Sequence, residues 1–165
     1  MERAEKMERV LALDIGSVRI GVAVTDPLGI FAQGIAVWQV HEGGRRDAWR
    51  ERFDACLARY DPALVLVGLP IRTNGVRGPE AEHISALTDE LRVAYPDRRF
   101  ELWDERYTTT IAQRALLEGD VSRRKRRERV DKIAAALILQ NWLEARAAFG
   151  CKITESSCSA SFNKR

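Results

Sequence analysis

The chain has 165 residues, a length typical of one domain. Its 45% hydrophobic and 31% charged residues exclude a chain that is disordered throughout. No apolar run approaches the ~20 residues that a membrane-spanning helix needs, and the charged N-terminus lacks the apolar region of a secretory signal. Three widely spaced cysteines and two histidines argue against a disulfide framework and a histidine-rich metal site. We therefore expect a cytoplasmic protein. Met7 is an alternative start to Met1, because the first predicted strand begins just after it.

The net charge of +3 is unevenly distributed along the chain. Residues 122–129 read SRRKRRER, with six basic side chains and one acidic side chain in eight positions. Blocks of like charge repel one another and stay solvated, where they can meet phosphate groups. The block is a candidate nucleic-acid-binding segment, and a merely solvated segment is the alternative.

The N-terminal part of the sequence predicts three strands, over residues 9–14, 19–25 and 30–38. Asp26 to Gly29 reads DPLG, a typical turn sequence. Because the links between these strands are short, they predict hairpins rather than parallel crossovers. We expect an antiparallel meander.

Helices and strands then alternate. Apolar residues at helical spacing predict helices over 46–60 and 79–95. The continuous apolar run 63–69 predicts a strand buried on both faces, and residues 99–104 predict a fifth strand.

The C-terminal part predicts two more helices, over 108–117 and 130–148, on either side of the basic block. Residues 150–165 lose all periodicity and predict a poorly ordered tail, so that the domain spans 1–149. A meander followed by right-handed βαβ units predicts an α/β fold. Its five-stranded mixed sheet has the fourth and fifth strands parallel to the first and is flanked by helices.

Three acidic residues stand at the ends of predicted elements. Asp14 ends the first strand, Glu105 follows the fifth, and Asp131 opens the last helix. The carboxyl ends of parallel strands share one sheet edge, where ligands bind in open α/β sheets. Clustered carboxylates need a cation, and oxygen ligands alone favour Mg²⁺ or Mn²⁺, which can promote hydrolysis of a phosphodiester bond. Asp104 is the alternative to Glu105.

Each acid also has a purely structural explanation. Asp14 suits a turn, Glu105 can form an ion pair with Arg106, and Asp131 can be a favourable charge at a helix start. Their convergence on one sheet edge is what favours a nuclease.

Ten basic residues are candidates for contacts with a nucleic-acid backbone. Arg19 has the alternative of a surface charge on an edge strand, and Arg106 has that of orienting Glu105. The full set follows the first or the fifth strand, lies in the 71–78 loop, or lies in and near the basic block: Arg19, Arg72, Arg77, Arg106, Arg123, Arg124, Lys125, Arg126, Arg127 and Lys132.

Four segments resemble the YqgF family, also called RuvX, of small RNase H-like proteins: LALDIGSVRIGVAVTDPLG (11–29), LVLVGLPIRTNGVRGPEA (64–81), ELWDERYTTTIAQRALLEG (101–119) and VDKIAAALILQNWLE (130–144). The resemblance implies an RNase H-like fold and a Mg²⁺-dependent nuclease. It also implies catalytic acids at Asp14, Glu105 and Asp131, and trimming of precursor 16S rRNA at its 5′ end. An older label for the family is Holliday-junction resolvase.

Three functions stay open. The first is an endonuclease on structured RNA, with precursor 16S rRNA or the small ribosomal subunit as partner. The second is a resolvase of branched DNA, which needs two active sites and therefore a dimer; the sequence leaves a monomer or a weak dimer open. The third is a non-catalytic nucleic-acid-binding factor.

The sheet imposes one geometric condition on the site. In the strand order 3-2-1-4-5, the first and fifth strands lie two steps apart, about 9.6 Å. Glu105 must then reach over the turn that begins at Gly68 to share a metal with Asp14. One or two metal ions are compatible with this arrangement.

Overall fold

The computed structural model describes residues 8–45, 47–72, 74–105 and 123–148. None of the helices in these ranges is long and apolar enough to cross a membrane. The strands are β1 (Val10–Ile15), β2 (Arg19–Thr25), β3 (Ala32–Gln39), β4 (Leu64–Leu69) and β5 (Arg99–Asp104), and the helices are α1 (Ala48–Tyr60), α2 (Pro79–Ala94) and α3 (Arg123–Ala148).

The five strands form one mixed sheet in the order β3-β2-β1-β4-β5. Strand β2 is antiparallel to both β1 and β3, whereas β4 is parallel to both β1 and β5. The predicted mixed sheet is confirmed, and its strand order is the one assumed in the geometric condition above. The carboxyl ends of β1, β4 and β5 therefore meet at one edge, as the placement of the acids requires.

The predicted strands and the first two helices begin and end within two residues of the observed bounds. The start of β3 differs because the preceding turn is longer than its DPLG signal. The carboxylate of Asp26 accepts backbone N–H bonds from Phe31, Ile30 and Leu28, at 2.8, 2.7 and 3.3 Å. These bonds lower the pKa of Asp26 and keep residues 30 and 31 out of the strand.

The predicted start of the last helix is wrong. Helix α3 begins at Arg123, so residues 123–129 of the basic block belong to the last helix. Arginine and lysine are good helix formers, and like-charge repulsion on an exposed helix costs only tenths of a kcal/mol per pair. Asp131 consequently lies in the third turn of α3 and is not a charge at the helix start. The predicted helix over 108–117 and the tail over 150–165 lie outside the described residues.

Helices cover both faces of the sheet. Helices α1 and α2 pack on one face, where Leu11 and Leu13 of β1 are buried with the other large apolar side chains. Helix α3 packs on the opposite face, over the alternate residues Val10 and Ala12. This alternation follows from the two-residue period of a strand, and it decides which side chains can meet α3.

Two glycines allow α3 to lie close to the sheet. A Cβ atom on Gly21 of β2 would clash with the backbone oxygen of Asp131. A Cβ atom on Gly34 of β3 would lie 2.7 Å from the backbone oxygen of Lys132. The absence of these two side chains places the helix directly on the backbone of β2 and β3.

Candidate active site

Asp14 lies near the carboxyl end of β1, on the face that α3 covers. The alternation that directs Val10 and Ala12 towards α3 continues to Asp14. Its partner in β2 is Gly21, and the parallel register between β1 and β4 places Gly68 on its other side. Glycines therefore flank Asp14 on both neighbouring strands, which allows groups of α3 and Glu105 to approach the sheet beside its carboxyl group.

The alternation of side chains along β5 places the two acids at its end, Asp104 and Glu105, on opposite faces of the sheet. Phe100 and Leu102 pack on the side of α1 and α2, whereas Trp103 packs with the residues under α3. Continuing this alternation, Asp104 belongs to the side of α1 and α2, and Glu105 belongs to the side of α3. Of the two candidates, Glu105 is the one that shares a face with Asp14.

Glu105 reaches across β4 to Asp14. A Cβ atom on Gly68 would lie 2.6 Å from Oε1 of Glu105 and 2.7 Å from Cδ1 of Ile138 in α3. The carboxyl groups of Glu105 and Asp14 are joined by a hydrogen bond. The carboxyl group of Glu105 thus reaches over β4 to Asp14, as the strand order requires. It can do so because Gly68, which lies between them, has no side chain.

The environment of this carboxyl pair favours protonation. Burial raises the pKa of Asp14, the hydrogen bond from Glu105 partly opposes this effect, and the charge of Asp131 adds to it. Burial also raises the pKa of Glu105 to about 7, with further contributions from the charge of Asp14, their hydrogen bond, and the charges of Asp104 and Glu80. The raised pKa values and the hydrogen bond both favour a proton on one of the two carboxyl groups.

Asp131 lies close to this pair, but its carboxylate contacts Arg19 instead. Its backbone sits over Gly21, one strand away from Asp14. Its Oδ2 accepts a hydrogen bond from Nε of Arg19 at 2.5 Å, in an ion pair that is about three-quarters buried. Within the described ranges, no three Asp, Glu, His or Cys side chains are close enough together to hold a metal ion. The structure thus brings two of the three predicted acids together and places the third beside them.

Two of the predicted basic residues lie on the loop between β4 and α2. Arg72 and Arg77 are exposed, and Arg77 is fixed by a β-bridge to Ile71. A cleft of about 450 Å³ opens beside this loop, and its lining includes Glu80. The charge of Glu80 also contributes to the raised pKa of Glu105. The cleft is lined by Pro70, Ile71, Arg72, Gly78, Pro79 and Glu80.

The remaining predicted basic residues belong mostly to α3. Lys125 is exposed in its first turns, and Lys132 is half-buried above β3. Arg106 lies outside the described residues. Four further arginines have a described helical backbone, with side chains outside the description: Arg123, Arg124, Arg126 and Arg127.

Several features of the site were missed from the sequence. Glu80 was not predicted to act on Glu105, and Arg19 was not predicted to hold Asp131. The close packing of α3 on Gly21 was not predicted either. A signal for Gly21 was present, because Gly21 and Ala23 are small residues at alternate positions of one strand, which favours a closely packed helix.

The fold of the chain resembles that of a solved structure. It is similar to the structure of Thermus thermophilus RuvC in complex with a Holliday junction substrate, with a TM-score of 0.50 and 19% identity. The match covers 85% of this chain and 96% of that chain. The fold is RNase H-like, as the sequence predicted.

Comparison of the sequence with known proteins identifies the family. The profile of the RuvX family, described as Holliday junction resolvase, matches residues 8–145. The chain is 44% identical to a protein of Listeria monocytogenes over 82% of this chain and 97% of that protein. It is 42% identical to a protein of Clostridium perfringens over 82% and 96%. Both relatives are named as proposed pre-16S rRNA nucleases. This chain therefore belongs to the RuvX family.

Proposed function

We propose that the chain is a metal-dependent endonuclease that processes the 5′ end of precursor 16S rRNA. The observation that carries this proposal is the pair of carboxyl groups of Asp14 and Glu105, joined over Gly68 at the carboxyl edge of the sheet. The enzyme class itself, a nuclease and therefore a hydrolase, follows from family membership and matches the sequence prediction. Processing of precursor 16S rRNA would take place in the cytoplasm, which is the location that the sequence predicts.

The residues present fit a divalent metal ion. The two half-buried carboxyl groups have raised pKa values and repel each other when both are charged, and a cation would relieve that repulsion. Mg²⁺ commonly binds to one or two carboxylates and completes its shell with substrate phosphates and water. Asp14 and Glu105 would hold the ion, with Asp131 as a third candidate ligand. When bound, Mg²⁺ or Mn²⁺ supplies activation of water and stabilisation of the leaving oxygen.

Basic residues of the chain would bind the substrate backbone on both sides of the Asp14–Glu105 pair. On one side, Arg72 and Arg77 are exposed next to the cleft. On the other side, the eight residues of α3 before Asp131 extend over about 12 Å at 1.5 Å per residue. Exposed cations such as Arg72, Arg77 and Lys125 would neutralise phosphates and hold the backbone across the carboxyl pair.

The names of the curated relatives favour RNA as the substrate, whereas the description of the family profile favours a DNA junction. The likeness to RuvC supports only the fold, because the identity is 19%. We therefore propose ribosomal precursor RNA as the substrate and keep junction resolution as the second candidate. A resolvase needs a dimer, so its oligomeric state separates the two candidates.

One cleavage experiment decides between these substrates. An RNA that contains the mature 16S 5′ end and its precursor extension would be compared with a four-way DNA junction, each with Mg²⁺, Mn²⁺ or EDTA. We expect cleavage of the RNA that EDTA abolishes. Symmetric cutting of the junction alone would establish the second candidate. Metal-independent binding of both substrates without cutting would favour the non-catalytic factor.

A further inference from the structure

Strand β2 provides two adjacent contacts to Asp131. Arg19 and Gly21 are separated by one residue and therefore point to the same face of the sheet. Gly21 lies under the backbone of Asp131, and Arg19 binds its carboxylate. The backbone of Arg19 is itself fixed, because its carbonyl accepts a bond from the N–H of Gly16 at 2.9 Å and its strand pairs with β3.

These contacts keep Asp131 near the carboxyl pair without joining it. The backbone of Asp131 lies one strand from Asp14, and its charge raises the pKa of Asp14. Its carboxylate nevertheless forms an ion pair with Arg19 that leaves only 27% and 25% of the two side chains exposed. The described residues accordingly contain no group of three acids close enough to hold a metal ion.

A phosphate group can compete for Arg19. The guanidinium group has five N–H donors in a planar fork that suits phosphate oxygens, and the hydrogen bond to Asp131 uses one of them. Arg19 also lies at the sheet edge where the scissile phosphate would bind. A phosphate at this position would therefore weaken the hold of Arg19 on Asp131.

We propose that Arg19 is a positioning residue that holds Asp131 away from the Asp14–Glu105 pair until a nucleic-acid phosphate takes its place. Asp131 then completes the metal site together with the substrate. This inference rests on the proposed metal role of Asp14 and Glu105. It assigns to Arg19 a role that acts through Asp131, in addition to the predicted phosphate contact.

The proposal has a thermodynamic consequence. If the substrate frees a metal ligand, then nucleic acid raises the affinity for metal, and metal raises the affinity for nucleic acid by the same factor. Removing Arg19 would free Asp131 permanently. The free protein would then bind metal more tightly, and nucleic acid would no longer raise that affinity.

A double-mutant cycle on Mn²⁺ affinity tests the proposal without measuring catalysis. The full-length wild type, Arg19→Gln, Asp131→Asn and the double variant would be titrated with Mn²⁺ by calorimetry and by electron paramagnetic resonance. We expect Arg19→Gln to bind Mn²⁺ roughly tenfold more tightly, a coupling within the usual range for contacting residues. We expect Asp131→Asn and the double variant to stay within about twofold of wild type.

A matched control is available at the other end of β5. Arg98 forms an ion pair with Asp61, and its side chain is as exposed as that of Arg19, at 27%. Arg98→Gln removes one arginine and one ion pair away from the site, so it should leave Mn²⁺ affinity unchanged. Thermal unfolding of every variant would confirm that each is folded.

Three outcomes would overturn the proposal. If the gain from Arg19→Gln persists in the Asp131→Asn background, it reflects only the lost positive charge. If Asp131→Asn weakens Mn²⁺ binding in the presence of Arg19, Asp131 is already a ligand in the free protein. If no variant binds Mn²⁺, the metal role fails as well. Wild-type binding that Asp14→Asn abolishes would show that the metal role stands whatever the cycle gives.

Discussion

Both faces of the sheet bury apolar side chains, but they differ at the edge where β1 and β4 end. Under α1 and α2, large residues such as Leu13 and Val67 are fully buried. Under α3, the residues next to them along the strands are Asp14 and Gly68, at the same sheet edge. The first face stabilises the fold by burying apolar area, at roughly 1.5–3 kcal/mol per large side chain. At this edge the second face has a carboxyl group and a glycine in place of large apolar side chains, so that a helix and two carboxyl groups can approach the backbone closely.

The largest expected difference between the faces concerns the two acids that end β5. Glu105→Gln removes a carboxylate from the α3 face, and we expect cleavage to fall by at least about a hundredfold, because a proposed metal ligand is lost. Asp104→Asn changes the neighbouring acid on the other face, and we expect cleavage to change by less than about threefold. Initial rates of RNA cleavage at saturating Mg²⁺ measure both. The reverse result would assign the catalytic role to Asp104.

The glycine beside the pair offers a second comparison. Gly68→Ala places a methyl group within 2.6 Å of Oε1 of Glu105, so we expect cleavage to fall by about tenfold or more as Glu105 is displaced. Val67→Ala, one residue away, removes buried volume from the other face. It should lower the free energy of unfolding by about 2 kcal/mol with little change in rate. Chemical denaturation and cleavage rates would separate the two effects. Equal losses of rate would contradict the division between the faces.

The raised pKa values predict an unusual dependence of stability on pH. Because the pKa of Glu105 is about 7 in the fold and 4.5 ordinarily, the folded protein binds more protons between these values. The free energy of unfolding of the metal-free protein should therefore fall as pH rises from about 4.5 to 7. Glu105→Gln should remove most of this fall, while the raised pKa of Asp14 keeps the rest, and the variant should be more stable at pH 8 by on the order of 1–3 kcal/mol.

Urea denaturation in EDTA at pH 4.5 and pH 8 measures this difference. Asp104→Asn is the control and should keep most of the wild-type dependence. Addition of Mg²⁺ should restore stability to the wild type at pH 8. A wild-type stability that rises over this pH range would contradict the raised pKa of Glu105.

The smallest expected effect concerns the exposed basic part of α3, beyond the sheet. Lys125→Ala should weaken binding to RNA a few-fold and reduce the slope of log affinity against log salt by about 0.7–0.9, the value of one phosphate contact. The site itself should be unaffected, so the cleavage rate at saturating RNA should not change. An unchanged salt slope would show that Lys125 faces away from the substrate.

The sequence predicted the sheet well because hydrophobic periodicity and short hairpin links are local signals. The same alternation carries Asp14 and Glu105 to one face, which is why their meeting could be expected once the strand order was known. The ion pair between Arg19 and Asp131 could not be predicted in this way. It joins residues 112 positions apart, and it depends on where α3 rests, which is set by the missing side chains at Gly21 and Gly34.

The start of α3 was misjudged for a different reason. The charge of residues 122–129 suggested a solvated segment, but arginine and lysine have high helix propensity, and the apolar part of α3 anchors the helix on the sheet. The predicted catalytic, metal-binding and nucleic-acid-binding roles of the site residues stay predictions.

The most direct test of the account is the cleavage of precursor 16S 5′-end RNA by the wild type and Asp14→Asn, in Mg²⁺ and in EDTA. Asp14→Asn removes one carboxylate of the pair and preserves the shape of the side chain, and thermal unfolding would verify the fold. The account predicts Mg²⁺-dependent cleavage by the wild type and none by the variant. Cleavage by Asp14→Asn at the wild-type rate would contradict it.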